Sequence, residues 1–108
     1  MNSGAVVLYV TCRDSEEARR IAADLVAARL IACANILPQH IAVYRWEGSV
    51  VESAETAMLL KTRAELVVHV SERIRSMHSY DMPGISAWPI TGGNADFLNW
   101  ILSETEVE

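Results

Sequence analysis

The sequence predicts a mixed α+β fold in the order β-α-β-β-α-β, followed by a third helix. Three observations carry this. Apolar residues make up 51% of the 108 positions and charged residues 21%, which supplies a core and sets the chain apart from disordered ones. Runs rich in β-branched residues alternate with runs whose apolar positions recur every three or four residues. Cap and turn signals fall between those runs, at Asp14, Gly48, Pro83-Gly84 and Gly92-Gly93. The length fits one domain, taken as residues 1–108. Two cysteines cannot staple a chain of this size. A domain this small buries roughly two-thirds of its unfolded surface, so an apolar half is slightly more than it needs alone.

Ala5 to Thr11 reads as a buried strand, rich in Val, Leu and Tyr. Asp14, with Glu17 three residues on, forms a capping-box pattern. Ala18, Ile21, Ala22, Leu25 and Val26 then give a helix from about Ser15 to Arg29. Ala32 to Trp46 is extended, interrupted at Pro38-Gln39, where proline lacks the N–H of a ladder. Glu47-Gly48-Ser49 turns the chain, and Val50 to Lys61 returns, giving a long hairpin between the second and third strands. Thr62 to Glu65 repeats the capping-box pattern, and Val67, Val70, Ile74 and Met77 continue a helix to Met77. Ile85 to Ile90 is a last strand, held to an edge or a bulge by Pro89. Gly92-Gly93-Asn94 opens the final helix with Phe97, Leu98 and Ile101.

This order is the ferredoxin-like plan. Right-handed crossovers put both connecting helices on one sheet face. The other face is left uncovered, with Val, Leu and Ile facing water unless something docks there.

Composition excludes several functions. Nine basic against fourteen acidic residues give a net charge of −5, with no footprint for nucleic acid. No apolar run approaches the ~20 residues of a membrane span. Met1-Asn2-Ser3-Gly4 carries no basic leader. The cytoplasm is therefore expected, with Cys12 and Cys33 as free thiols. An iron–sulfur cluster needs four thiolates. The central strands lack the stacked aromatics of RNA-binding sheets, and no Gly-rich phosphate loop is present. No organic cofactor is expected.

Few residues remain to carry chemistry. Cys33 opens the second strand among small apolar neighbours; it reads as a buried hydrophobe or as a soft ligand for copper or zinc. His78 ends the second helix, beside Tyr80 and Asp81. It reads as a charge suited to a helix C-terminus, or as an imidazole ligand or proton carrier. His40 and His69 read as solvated. Lys61 shares a strand face with Glu55, which allows a Lys–Glu pair or a strand end emerging into water. Trp46, at the hairpin tip, is a staple over the hairpin or an interface anchor. No nucleophile stands beside a base, so no enzyme is expected. Acid–base work by His78 and Tyr80 ranks last among the readings.

Nearly the whole chain resembles the CutA divalent-cation tolerance family. The matching runs are Ile21-Ala22 with Leu25-Val26, Cys33 and Asn35, and Tyr44-x-Trp46-Glu47-Gly48. Leu60-Lys61-Thr62, His78-x-Tyr80 with Pro83, Gly93-Asn94 and Trp100 follow. The resemblance implies a homotrimer of P-II-like architecture, in which sheets meet and hairpins extend into neighbours. It implies a role in tolerance of divalent metal, copper foremost and zinc next, without a settled catalytic activity. On this reading Cys33 and His78 are the metal ligands, and Lys61, Tyr80 and Trp46 line a cleft between subunits. The other reading is a P-II-like module for an anion or partner, using Lys61 and the start of the last helix. Some members carry Cys inside the first strand and a second His beside the matched one. Here those positions are Val10 and Met77. Cys12 is close to Val10 but is expected on a different side.

Overall fold

A computed structural model describes residues 3–106; Met1 and Asn2 of the N-terminal segment lie outside them. The described residues form eight strands and α-helices, β1 (Ala5–Cys12), α1 (Ser15–Ala27), β2 (Cys33–Ile36), β3 (His40–Trp46), β4 (Ser49–Arg63), α2 (Val67–Met77), β5 (Ile85–Pro89) and α3 (Ala95–Glu104), with a 3-10 turn at Ala64–Leu66. The result is a mixed α+β fold with an antiparallel sheet and three helices.

The sheet runs β2-β4-β1-β5, and β3 pairs with the far half of β4. The extended stretch expected from Ala32 to Trp46 is therefore two strands. Pro38 divides them, because a residue without an N–H cannot continue the ladder. The long hairpin is β3–β4, and it projects beyond the body of the sheet as an arm. β4 is fifteen residues long, which lets one strand serve both the arm and the body.

Register assigns the faces, since directly opposed residues share one. Val6, Leu8, Val10 and Cys12 pack with Met58 and Leu60 against Ala18, Ile21 and Leu25 of α1 and Val70 and Ile74 of α2. Both connecting helices therefore cover this face. Ala5, Val7, Tyr9 and Thr11 point the other way. α3 covers only one end of that second face, where Ile101 packs on Ala5 and Ala32.

Local chemistry explains the boundaries. Asp14 caps α1 by accepting the Glu17 N–H at 2.8 Å. The reciprocal half of the box is displaced: Glu17 accepts the Arg13 N–H rather than that of Asp14. α1 ends at Ala27, two residues before Arg29. Arg29 adopts φ 61°, the Arg29 N–H reaches Val26 O, and the Leu30 N–H reaches Leu25 O. These two bonds satisfy the last carbonyls as a Schellman motif, with arginine where glycine is usual.

The second capping box does not form. Thr62 stays on β4, its hydroxyl donates to Leu30 O at 2.7 Å, and the turn at Ala64 has no side-chain cap. Thr62 is fully buried, so its strongest available acceptor is across the core rather than along the chain. Thr62→Val keeps the shape and leaves Leu30 O unpaired. It is expected to cost about 1–2 kcal/mol, read from urea midpoints at fixed protein concentration; an unchanged midpoint would assign the bond no net value.

Candidate functional site

Two sites emerge on opposite sides of the sheet. The first is a buried knot where the end of β1, the start of α1 and the end of α2 meet. The Glu17 and His78 side chains are fully buried there. Glu17 Oε1 accepts the Arg13 N–H and Oε2 accepts the Ser79 N–H, both at 2.8 Å. His78 Nδ1 accepts the Tyr80 N–H at 3.0 Å. His78 Nε2 lies 2.8 Å from Thr11 O. A carbonyl only accepts and a backbone N–H only donates, so the ring is the Nε2–H tautomer with its one lone pair already used.

Burial raises the Glu17 pKa, but the donors from Arg13 and Ser79 outweigh it and hold the carboxyl below its ordinary value. Cys12 lies beside this pair, and the Cys12, Glu17 and His78 ligand atoms all stand within 4.8 Å of one another. Val10 and Cys12 share the core face, contrary to the expectation that they point to different sides. The strand period is two, so residues two apart face the same way.

This group does not fit a resident divalent metal. Burial, then the charges of Glu17 and Asp14, push the Cys12 thiol up to about 12, so without a metal it is neutral. The one lone pair of His78 is used by the Tyr80 N–H, and each Glu17 oxygen is already held by a backbone donor, so the imidazole cannot join Glu17 as a ligand. The three residues form a structural latch.

Cys33 lies on the other face, opposite Lys61 in register. One subunit therefore does not bring Cys33 and His78 together. Cys33 is half-buried. Burial raises its thiol pKa, with the Lys61 ammonium pulling the other way. Lys61 donates to Asn35 Oδ1 and makes no pair with Glu55 among the described residues. The start of α3 is already served by an acid, since Asp96 accepts the Phe97 N–H and holds Asn94.

The second site is a cleft of about 730 Å3 on the second face, between the β3–β4 arm and the loop after α2. Tyr9 and Thr11 of β1, Tyr44 and Trp46 of the arm, Glu55 and Tyr80 line it. Tyr80 and Trp46, expected in a cleft between subunits, line this cleft within one chain, and Lys61 does not. Glu55 is only 7% exposed and accepts the Tyr80 O–H at 3.1 Å. Burial, then that carboxylate, push the Tyr80 phenol up to about 12, so it stays a donor. His40, expected in water, is half-buried in the cleft wall; His69 is exposed as expected.

Sequence reasoning missed Glu17 and Glu55 as organising residues. Glu17 was visible only as a cap partner, although it sits on the apolar stripe of α1 one position before Ala18. Glu55 falls where β4 turns from arm to core, as the first residue of a buried run.

The model of the CutA1 divalent ion tolerance protein family matches residues 6–104. The chain belongs to that family. The Divalent-cation tolerance protein CutA of Thermus thermophilus is 41% identical over 99 residues, 92% of this chain and 96% of that protein. The chloroplastic Protein CutA 1 of Oryza sativa is 39% identical over 101 residues, 94% of this chain. The chain spans 57% of that longer plant relative. A solved structure of the Archaeoglobus fulgidus divalent cation tolerance protein CutA, described as periplasmic, superposes with a TM-score of 0.91 at 39% identity, over 94% of this chain and 99% of that one. Membership of the CutA family matches the sequence resemblance, and the shared fold carries the antiparallel sheet and three helices.

Proposed function

We propose that this CutA-family chain acts in divalent-metal tolerance as a cytoplasmic, non-catalytic homotrimer of ferredoxin-like, P-II-like subunits. Its contact with metal, copper foremost and zinc next, is weak and runs through Cys33 rather than through a closed high-affinity centre. One observation carries this reading: the His78 imidazole has no lone pair left to offer, whereas the half-buried Cys33 sulfur makes no hydrogen bond among the described residues. A single soft donor gives a weak and exchangeable complex. The names of the relatives support the tolerance role, and the apolar arm supports assembly.

Copper titration of the assembled protein tests the assignment. Cys33→Ala is expected to weaken binding about tenfold or more, the scale of a disrupted metal site. His78→Ala is expected to leave affinity within about twofold while lowering the melting temperature, since it removes a latch and no ligand. Unchanged affinity in Cys33→Ala, or a lost metal site in His78→Ala, would overturn it.

A further inference from the structure

We infer that the cleft beneath the β3–β4 arm binds a small protonated amine, with its charge against Glu55 and its body among Tyr9, Tyr44, Trp46 and Tyr80. This inference is independent of the metal reading, because Cys33 does not line the cleft.

Glu55 is the reason for the charge. Its Oε2 accepts from Tyr80, while Oε1 accepts no hydrogen bond among the described residues and keeps some access, although the residue as a whole is only 7% exposed. Buried carboxylate oxygens are expected to find donors. The small part of Glu55 that remains accessible opens into the cleft, so a donor bound there can take the place of water on Oε1. Asp81 adds a second acid to the wall, while the guanidinium of Arg45 is turned to Gly48 O at the tip of the arm.

The walls are the reason for the organic body. Four of the chain's seven aromatic residues line this one cleft. Aromatic faces attract a weakly hydrated organic cation, whereas a hard metal ion wants several oxygens and its own water. A volume of about 730 Å3 suits a small molecule. Tyr44 is held by Ser53 at 3.3 Å, and Tyr80 by Glu55 and by its N–H on His78. The cage is therefore largely formed before a ligand arrives.

Phenethylamine and putrescine, with phenethyl alcohol as the uncharged control, are the probes, followed by the indole and amide resonances of the assembled, isotope-labelled protein. Saturable shifts at Trp46 and Tyr80 are expected from the amines and none from the alcohol. Glu55→Gln, which still accepts from Tyr80, is expected to weaken the response at least roughly tenfold. Tyr80→Phe keeps the carboxylate, so it should retain binding if the folded spectrum survives, and Cys33→Ala should change nothing. Equal responses to amine and alcohol, or an amine response unaffected by Glu55→Gln, would overturn the inference. So would silence towards amines, whether copper then shifts the same resonances through Glu55 or a change in oligomeric mass in Glu55→Gln shows a neighbouring subunit's cation in the cleft.

Discussion

Glu17→Ala is expected to lower the free energy of unfolding by about 3 kcal/mol, because it strands two N–H groups at about 1–3 kcal/mol each. Arg13 and Ser79 donate to the two oxygens of one carboxylate whose side chain is fully buried. Its removal unties the start of α1 from the loop after α2 and leaves His78 and Cys12 beside a cavity. Glu17→Gln is expected to recover part of the loss, since the amide oxygen replaces one acceptor while its NH2 faces a donor. The pH dependence follows from the same bonds. The folded-state pKa of Glu17 lies below its ordinary 4.5. Its stabilisation is therefore complete above that value and lost as pH falls through the lower folded one. Urea midpoints from neutral pH down to about 3, at constant protein concentration, should show a steep acid limb in the wild type and a flatter one in Glu17→Ala. Coincident curves would show that the latch contributes nothing.

The second large effect concerns assembly. Ile41, Val43 and Val50 are 63%, 62% and 65% exposed, and the β3–β4 register puts all three on one side of the arm, opposite to Tyr44 and Trp46. Three β-branched residues in one exposed strip form an edge that a folded protein ordinarily covers. Replacing all three by Ser is expected to convert the proposed homotrimer to monomer at micromolar concentration, since truncated anchors in an interface cost up to about 2 kcal/mol or more each. Far-ultraviolet circular dichroism should be retained, because the arm stands outside the core. Light scattering decides: a trimeric variant would acquit the strip, and a wild type with the mass of one chain would remove the assembly.

The strip also refines what the apolar excess means. The sequence suggests it lies on the open sheet face. In the structure Val7 and Ala57 of that face are already buried, while Trp88, in register with Val7, is exposed on it; the arm, Phe97 and Trp100 of α3, Val68 and Met82 carry further exposed apolar surface. Phe97 and Trp100 stack on one another along α3. Strand order alone placed only part of the surplus, because it counts which helices cover a sheet and not how far a hairpin projects beyond it.

Local pattern was sufficient wherever the deciding interaction is local. Period two in β1, the three- and four-residue steps of α1 and α2, the Asp14 cap and the Glu47-Gly48 turn all involve neighbours in sequence, and the structure contains each of them. The turn even places both Glu47 and Gly48 at positive φ, 49° and 83°, as tight hairpin turns prefer. Thr62 failed for the converse reason. Its pattern matched a cap, but its hydroxyl had a better partner 32 residues away. Cys12 failed through misapplied alternation, and the interruption expected at Pro38 proved to be a full break between two strands.

The sequence by itself determined the order of elements, the long hairpin, the family and the residue types available for chemistry, because helices, strands and turns are set by contacts within a few residues. Only the tertiary structure decided which of those residues meet. His78 reaches Thr11 across 67 positions and Ser79 reaches Glu17 across 62, and both contacts exist only once α1 and α2 are packed on the same face of β1. That packing closes His78 into a hydrogen-bonded latch and leaves Cys33 on the far side of the sheet. It also turns Glu55, an unremarked acid in a strand, into the floor of a cleft.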